Sequence, residues 1–348
     1  MCSHHPSQHP QGKAHDIRRL PIPERVIIKP DGTSVTNTRN AGQGLHSRPA
    51  FIHFLKLSQI FVRKSKFART NISSHRQSKK IMSKNKRDIP KFQTPIIETH
   101  CHLDYLDAEQ LTETLEKSCE VGVERIVTIA VSADNLETVM ALTRESPAIW
   151  GTQGIHPHEA EHYNADVEQI IRKNVQNPRI LAIGEIGLDY YYDHVDRSTQ
   201  RSAFERQLEL AIELNLPVVI HSRDAEKDTQ DILQNCSSRL QRKGVIHSFT
   251  SSKALAEYCL SEDFFLGFNG ITTFNKADNV REVVSLTPVE QLILETDAPY
   301  LTPVPYRGKP NAPYYLPFIA EKIAQIKDIA VEELLQRAYE NSVSLLFR

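Results

Sequence analysis

From Pro95 onward, short apolar runs punctuate the chain at regular intervals: PIIETHCHL, ERIVTIAV, AIWGTQGIHP, ILAIGEIGLD, PVVIHSR, GVIHSF, FFLGFNG and QLILETDAP. Each is rich in Ile, Val and Leu and lacks the polar alternation of a half-exposed strand, as expected for strands buried on both faces of a parallel sheet. Helical patterns fill the intervals. In STQRSAFERQLELAIELN, Phe204, Leu208, Ala211 and Ile212 recur at three-to-four-residue spacing with charges opposite. The closing VEELLQRAYENSVSLLF repeats the pattern through Leu334, Leu335, Ala338, Leu345 and Leu346. Eight strand-like runs alternating with helices across residues 95–348 predict an α/β fold, a TIM (β/α)8 barrel. A doubly wound open sheet would share the alternation, but no glycine-rich dinucleotide fingerprint follows the first run.

Charge divides the chain at the same place. Residues 1–94 hold 19 of the 42 Lys+Arg but only 4 of the 43 Asp+Glu, so a net charge of −1 conceals a basic first part and an acidic remainder. Such a basic, weakly patterned segment reads as a disordered extension, with Met82 as a possible natural start; a nucleic-acid-binding or targeting arm is the functional alternative. The most apolar early stretch, FIHFLKLSQIFV, is interrupted by His53 and Lys56 and is too short to span a membrane. The five cysteines are scattered and form no CxxC, which points to a reducing, cytoplasmic setting and away from a disulfide framework.

The polar residues within the apolar runs change the picture further. Active sites of such barrels lie at the C-terminal ends of the strands. There the first run ends in His100 and His102, the third in His156 and His158, the fifth in His221, the sixth in His247, and the eighth in Glu295 and Asp297. The fourth carries Glu185 in an otherwise apolar stretch, with Asp189 four residues on. His100 and His102 are two apart and so share one face of their strand, aimed into the barrel mouth. A single buried histidine is ordinarily a hydrogen-bonded core residue. Convergent imidazoles and carboxylates from several strands need a cation to neutralise them.

Mixed nitrogen and oxygen donors suit zinc, manganese, nickel or iron better than calcium. The number of donors exceeds a four-ligand structural zinc site, so two divalent ions fit better. One would lie between the first-strand pair and the eighth strand. The other would lie on the fifth- and sixth-strand histidines, with Glu185 bridging. Such a pair can clamp both the attacking and the leaving oxygen of an ester, a phosphodiester in particular.

ETHCHLD, GIHPH, IGEIGLDY, VIHSRDA, IHSF and LETDAPYLTPVPYRGKPNAP, in this order and spacing, resemble the TatD family of metal-dependent hydrolases in the amidohydrolase superfamily. The resemblance covers Pro95 to Arg348 and nothing before it. It implies a barrel with divalent metals (Mg, Mn, Zn or Ni) and deoxyribonuclease activity, including 3′–5′ exonuclease activity. It places metal ligands on His100, His102, Glu185, His221, His247 and Asp297, with Asp297 holding the nucleophilic water and shuttling its proton. His156 and His158 then face the substrate or support the ligands. Arg223 and Arg307 are available to meet a phosphate, since guanidinium matches its paired oxygens. Three positions depart from the family's pattern: Glu98 stands for an Asp, Ser251 for a Gly and Ala312 for a Glu.

An acidic barrel would not track duplex DNA along a basic face; capture of a strand end or a short single strand suits it better. No membrane association and no obligate protein partner is implied. The same metal chemistry would serve another ester, such as the aminoacyl bond of a misacylated tRNA in a D-aminoacyl-tRNA deacylase. A non-catalytic binding barrel is the remaining alternative, and the full donor set argues against it.

Overall fold

The computed structural model describes residues 87–192 and 194–347. The chain divides into two units, Met1–Lys79 and Lys80–Arg348; the expectations for residues 1–86, Met82 included, lie outside the described residues.

Eight parallel strands follow one another around a single sheet in chain order: β1 (Ile96–Cys101), β2 (Val123–Thr128), β3 (Ile149–Gln153), β4 (Ile180–Asp189), β5 (Val218–Arg223), β6 (Gly244–Ile246), β7 (Phe265–Phe268) and β8 (Leu292–Leu294). Each apolar run of the sequence supplies one strand. The last strand returns to the first. Asp297 N donates to His100 O (2.9 Å), His102 N to Ala298 O (2.8 Å), and Thr99 Oγ1 to Leu294 O (2.8 Å). The sheet is therefore a TIM barrel rather than an open doubly wound sheet.

Helices α1 (Ala108–Glu120), α2 (Leu136–Glu145), α3 (Ala165–Asn174), α4 (Arg197–Leu214), α5 (Glu226–Cys236), α6 (Lys253–Ser261), α7 (Asp278–Leu286) and α8 (Leu316–Lys327) follow the strands in turn, and α9 (Val331–Leu346) closes the chain. The α4 stripe behaves as its spacing predicts: Phe204, Leu208 and Ala211 are buried against the strands, and Ile212 packs at the margin. Helix α4 starts where the Asp196 side chain accepts from Thr199 N, and ends at Asn215 in the left-handed conformation that short polar residues tolerate. In α9, Leu334, Leu335, Ala338, Leu345 and Leu346 are all buried.

Residues 87–94, which the charge boundary groups with the extension, lie against the barrel. Arg87 forms a forked pair with Glu321 on α8 (2.6 and 2.8 Å), the backbone N–H groups of Gln93 and Thr94 donate to Glu332 on α9, and Ile89 and Phe92 pack on the core. No helix among the described residues is long and apolar enough to cross a membrane.

Candidate metal centre

At the C-terminal end of β1, His100 and His102 are both buried, with ring centroids 5.4 Å apart and nearly perpendicular planes. Cys101 between them points the other way, its thiol toward Val127 O, as strand alternation requires. Asp297, three residues past β8, adopts a left-handed backbone (φ 59°), which costs a residue with a Cβ more than it costs glycine. The conformation is held by Asp297 N on His100 O and by Tyr300 N on Asp297 O. It brings Asp297 Oδ1 to 3.5 Å from His102 Nε2 and 3.9 Å from His100 Nε2.

Glu185, from β4, is 3% exposed and stands at the centre of the arrangement. Its Oε2 lies 3.5 Å from His100 Nε2. Its Oε1 lies 2.9 Å from His221 Nδ1, 3.2 Å from His247 Nε2 and 3.7 Å from His156 Nε2. One carboxylate oxygen thus faces the β1 side and the other faces β3, β5 and β6. Burial alone would raise its pKa, but His247, His156, His100 and His221 outweigh burial and hold the carboxyl well below its ordinary range. Burial depresses His247, yet Glu185 and Glu295 outweigh it and push that imidazole well up. His100 is lowered, by burial and by His247, whose ring stacks on it at 3.7 Å.

The donors fit a divalent cation. Three sets of three ligand atoms lie within 4.8 Å of one another: His100, His102 and Asp297; His156, Glu185 and His221; and His100, His247 and Glu295. Among the described residues, most buried polar side-chain atoms without a hydrogen-bond partner gather here, including both ring nitrogens of His100, Nδ1 of His102, and Oε2 of Glu98 and of Glu295. Polar atoms buried without partners are costly unless a ligand completes them. The donors are imidazole and carboxylate without thiolate, the set of a hydrolytic divalent site.

The structure brings together all six residues the sequence selects as ligands. It adds His156, whose Nδ1 accepts from His158 N (3.2 Å), leaving Nε2 toward Glu185. His158 stands farther out, its Nε2 3.0 Å from Asp189 Oδ2. Arg223 ends β5 with its guanidinium 4.0 Å from the Tyr191 ring centroid and 4.9 Å from that of Tyr192. Arg307 sits over Phe274 at 3.7 Å, in the loop after β8. Among the described residues neither arginine has a carboxylate within 4.0 Å, so each retains donors for a ligand.

Three further carboxylates stand at positions visible in the sequence but outside the expected ligand set. Glu98 is fully buried; its Oε1 accepts from His100 N (2.9 Å) and Thr296 N (3.0 Å), tying the first strand to the segment after the last, and burial pushes its pKa up to about 8. Asp189 Oδ2 faces His221 Nε2 at 3.2 Å as well as His158, and so orients both rings. Glu295 accepts from Ser248 N (2.6 Å) and lies 3.3 Å from His247 Nδ1. A carboxylate behind a metal-facing imidazole fixes its tautomer and raises its basicity. The sequence signal was present, since Asp189 and Glu295 end strands and Glu98 interrupts one; their imidazole partners are what the linear order concealed.

Comparison with known proteins gives a consistent set of relatives. The sequence model described as TatD related DNase matches residues 97–347. The metal-dependent hydrolase YabD of Bacillus subtilis is 36% identical over 254 residues, covering 72% of this chain and 98% of its own. The protein of Erwinia tasmaniensis named 3′-5′ ssDNA/RNA exonuclease TatD is 33% identical over 241 residues, covering 68% and 93%. Among solved structures, the TatD homologue YJJV of Escherichia coli superposes with a TM-score of 0.69 at 28% identity, over 73% of this chain and 98% of that one.

Proposed function

Since the chain belongs to the TatD family of metal-dependent hydrolases, we propose that it hydrolyses phosphodiester bonds of DNA, as an exonuclease acting on strand ends or single strands. Two divalent ions (Mg, Mn, Zn or Ni) would be held by His100, His102, Glu185, His221, His247 and Asp297. The observation that carries this reading is the placement of Glu185, whose two oxygens face two different groups of donors, as a bridging carboxylate must. When bound, divalent ions supply charge neutralisation at the phosphate oxygens and make hydroxide available near neutral pH.

The chain's own residues do the rest. Asp297 has one oxygen toward His102 and His100, and its carboxyl lies at the mouth, where it can hold a water, take its proton and return a proton to the leaving oxygen. Burial opposes ionisation of Asp297, but His102, His247 and His100 outweigh it, so it stands ready as a base. The water oxygen bonds to phosphorus as the phosphorus–oxygen ester bond breaks. His156 and His158 flank that position from β3. Arg223 and Arg307, each seated on an aromatic ring, offer guanidinium to phosphates either side of the bond. Similarity to the Erwinia tasmaniensis protein named 3′-5′ ssDNA/RNA exonuclease TatD supports a single-stranded substrate and 3′–5′ polarity. The acidic balance of residues 95–348 supports it too, because tight wrapping along a duplex needs a basic face. The four free cysteines among the described residues fit a reducing, cytoplasmic setting.

The test uses the full chain with a 5′-labelled single-stranded oligonucleotide and Mg²⁺ or Mn²⁺. A ladder shortening from the 3′ end is expected, chelation abolishes it, and Asp297→Asn lowers kcat by roughly 10²–10⁴-fold. Hydrolysis that survives chelation, or is undiminished in Asp297→Asn, defeats the reading. A side-by-side aminoacyl-tRNA assay shows whether a carboxylic ester is the better substrate.

A further inference from the structure

Six large apolar side chains are exposed among the described residues, and four of them are tyrosines at the barrel mouth: Tyr105 (54%), Tyr191 (45%), Tyr192 (40%) and Tyr300 (46%). This concentration at one end of the barrel calls for a ligand with apolar, planar faces. The four fall into two groups. Tyr105 follows β1 and Tyr300 follows β8; their ring centroids are 6.1 Å apart, and they lie 6.0 and 6.3 Å from the ring of His102. Tyr191 and Tyr192 follow β4. Their backbone N–H groups both donate to Asp189 Oδ1, whose other oxygen faces His158 and His221. The Tyr192 ring meets His158 edge-on at 5.3 Å.

Strand order fixes how the groups relate. In a closed barrel ordered β1 to β8, the β8/β1 seam lies across the mouth from β4 and β5. One tyrosine ledge therefore stands beside the His100–His102–Asp297 side of the cluster and the other beside the Glu185–His221 side, with the cluster between them. The ledges also differ in charge. Arg223 lies on the Tyr191–Tyr192 ledge, whereas Asp104 adjoins the Tyr105–Tyr300 ledge and holds Asn135 Nδ2 at 3.3 Å.

We propose that the two ledges are base-stacking subsites for unpaired nucleotides on either side of the scissile phosphate, with Arg223 serving the phosphate on the β4 side. Bases present π-faces of every sequence, so stacking recognises a single strand without reading it. Bases inside a duplex are stacked on both faces and held by their partners, so a duplex offers at most its terminal pair to one ledge and cannot fill both. Stacking also supplies affinity that an acidic barrel cannot draw from phosphate contacts alone. The proposal rests on the nuclease reading above and specifies how that site takes its substrate.

The experiment compares a dT oligomer with an otherwise identical oligomer whose sugars near the 3′ end lack bases. The full chain is expected to hydrolyse the dT oligomer with the lower KM. Tyr105→Ala and Tyr191→Ala should each raise KM on dT by about ten- to a hundredfold, the loss expected for one stacked base, and narrow the gap between the two oligomers. Tyr→Phe at either position should restore it. A second readout is independent of turnover: 2-aminopurine in the oligomer should be quenched on binding to the Asp297→Asn chain, and less so when Tyr105 or Tyr191 is also Ala. Equal KM for the two oligomers, or quenching unchanged by the Ala substitutions, overturns the stacking proposal while leaving the nuclease reading intact. Hydrolysis of neither oligomer overturns both.

Discussion

The carboxylate of Glu295 is packed so closely that Gly267 on β7 has no room for a side chain: a Cβ there would stand 2.5 Å from Oε2. The carboxylate cannot simply swing away, because it accepts from Ser248 N and lies against His247. Gly267→Ala is expected to destabilise the fold by about 1–3 kcal/mol through overpacking. It should also weaken binding of divalent ions by misplacing His247; calorimetry and a Mn²⁺ titration check the two effects. The same residues give a direct test of the metal reading. With several buried donors lacking hydrogen-bond partners, Mn²⁺ at about 100 times its Kd should stabilise the native state by about 2.7 kcal/mol. The thermal midpoint should rise accordingly, EDTA should reverse the rise, and Glu185→Gln should abolish most of it. A midpoint indifferent to Mn²⁺ would remove the centre from consideration.

Helices α3 and α4 are joined on the barrel's outside through one acid. Glu168 receives Arg172 (2.8 Å), Arg206 (2.6 and 2.8 Å) and the Tyr163 hydroxyl (3.0 Å), while Arg172 and Arg206 both reach Glu213. Burial would raise the pKa of Glu168, but Arg206, Arg172 and Tyr163 outweigh it and hold it below its ordinary value. A depressed folded-state pKa contributes stability that is fully present above the unfolded value and lost as pH falls through the folded one. Glu168→Gln should therefore cost about 1–2 kcal/mol at neutral pH, with the difference in unfolding midpoint shrinking below pH ~4. A difference independent of pH would contradict this account.

The elements themselves were legible because barrel strands are buried on both faces and read as unbroken apolar runs, and because α4 and α9 keep a single apolar stripe. The boundaries were less so. β6 and β8 contribute only three residues each to the ladder, since the polar residues that end them belong to the mouth. His100 and Glu185 could be picked out as polar residues inside apolar strands. Glu98 could not be linked to Thr296, or Asp189 to His158, because such contacts form only when distant strands become neighbours. The tyrosine ledges were not legible either, as exposure at a barrel mouth depends on loop paths that no periodicity records.

At the scale of the whole molecule, the start of the folded unit is set by contacts rather than by composition. Residues 87–94 look like the rest of the basic segment, yet Arg87 pairs with Glu321, the Tyr306 hydroxyl donates to Arg87 O, and Phe92 packs on the core. A chain beginning at residue 82 should unfold cooperatively with the midpoint of the full chain. One beginning at residue 95 should lose about 1–3 kcal/mol of apolar burial, lowering the midpoint by several degrees. Equal midpoints for the two shortened chains would assign residues 87–94 no part in stability.

The order in which the cluster's residues occur along the chain has a consequence for synthesis. His100, His102 and Glu185 lie in or just after the first four strands, and His221, His247 and Asp297 in or just after the last four. Each half of the barrel thus carries three of the six proposed ligands, and the last of them comes beside β1 only once the segment after β8 has docked. On that ligand set, a nascent chain would complete its site only after the segment beyond β8 had been made. If the barrel were severed between α4 and β5, the halves would still meet along the β4–β5 ladder and at the β8–β1 closure. A divalent ion held by the proposed ligands would add to that association, and chelation would weaken it.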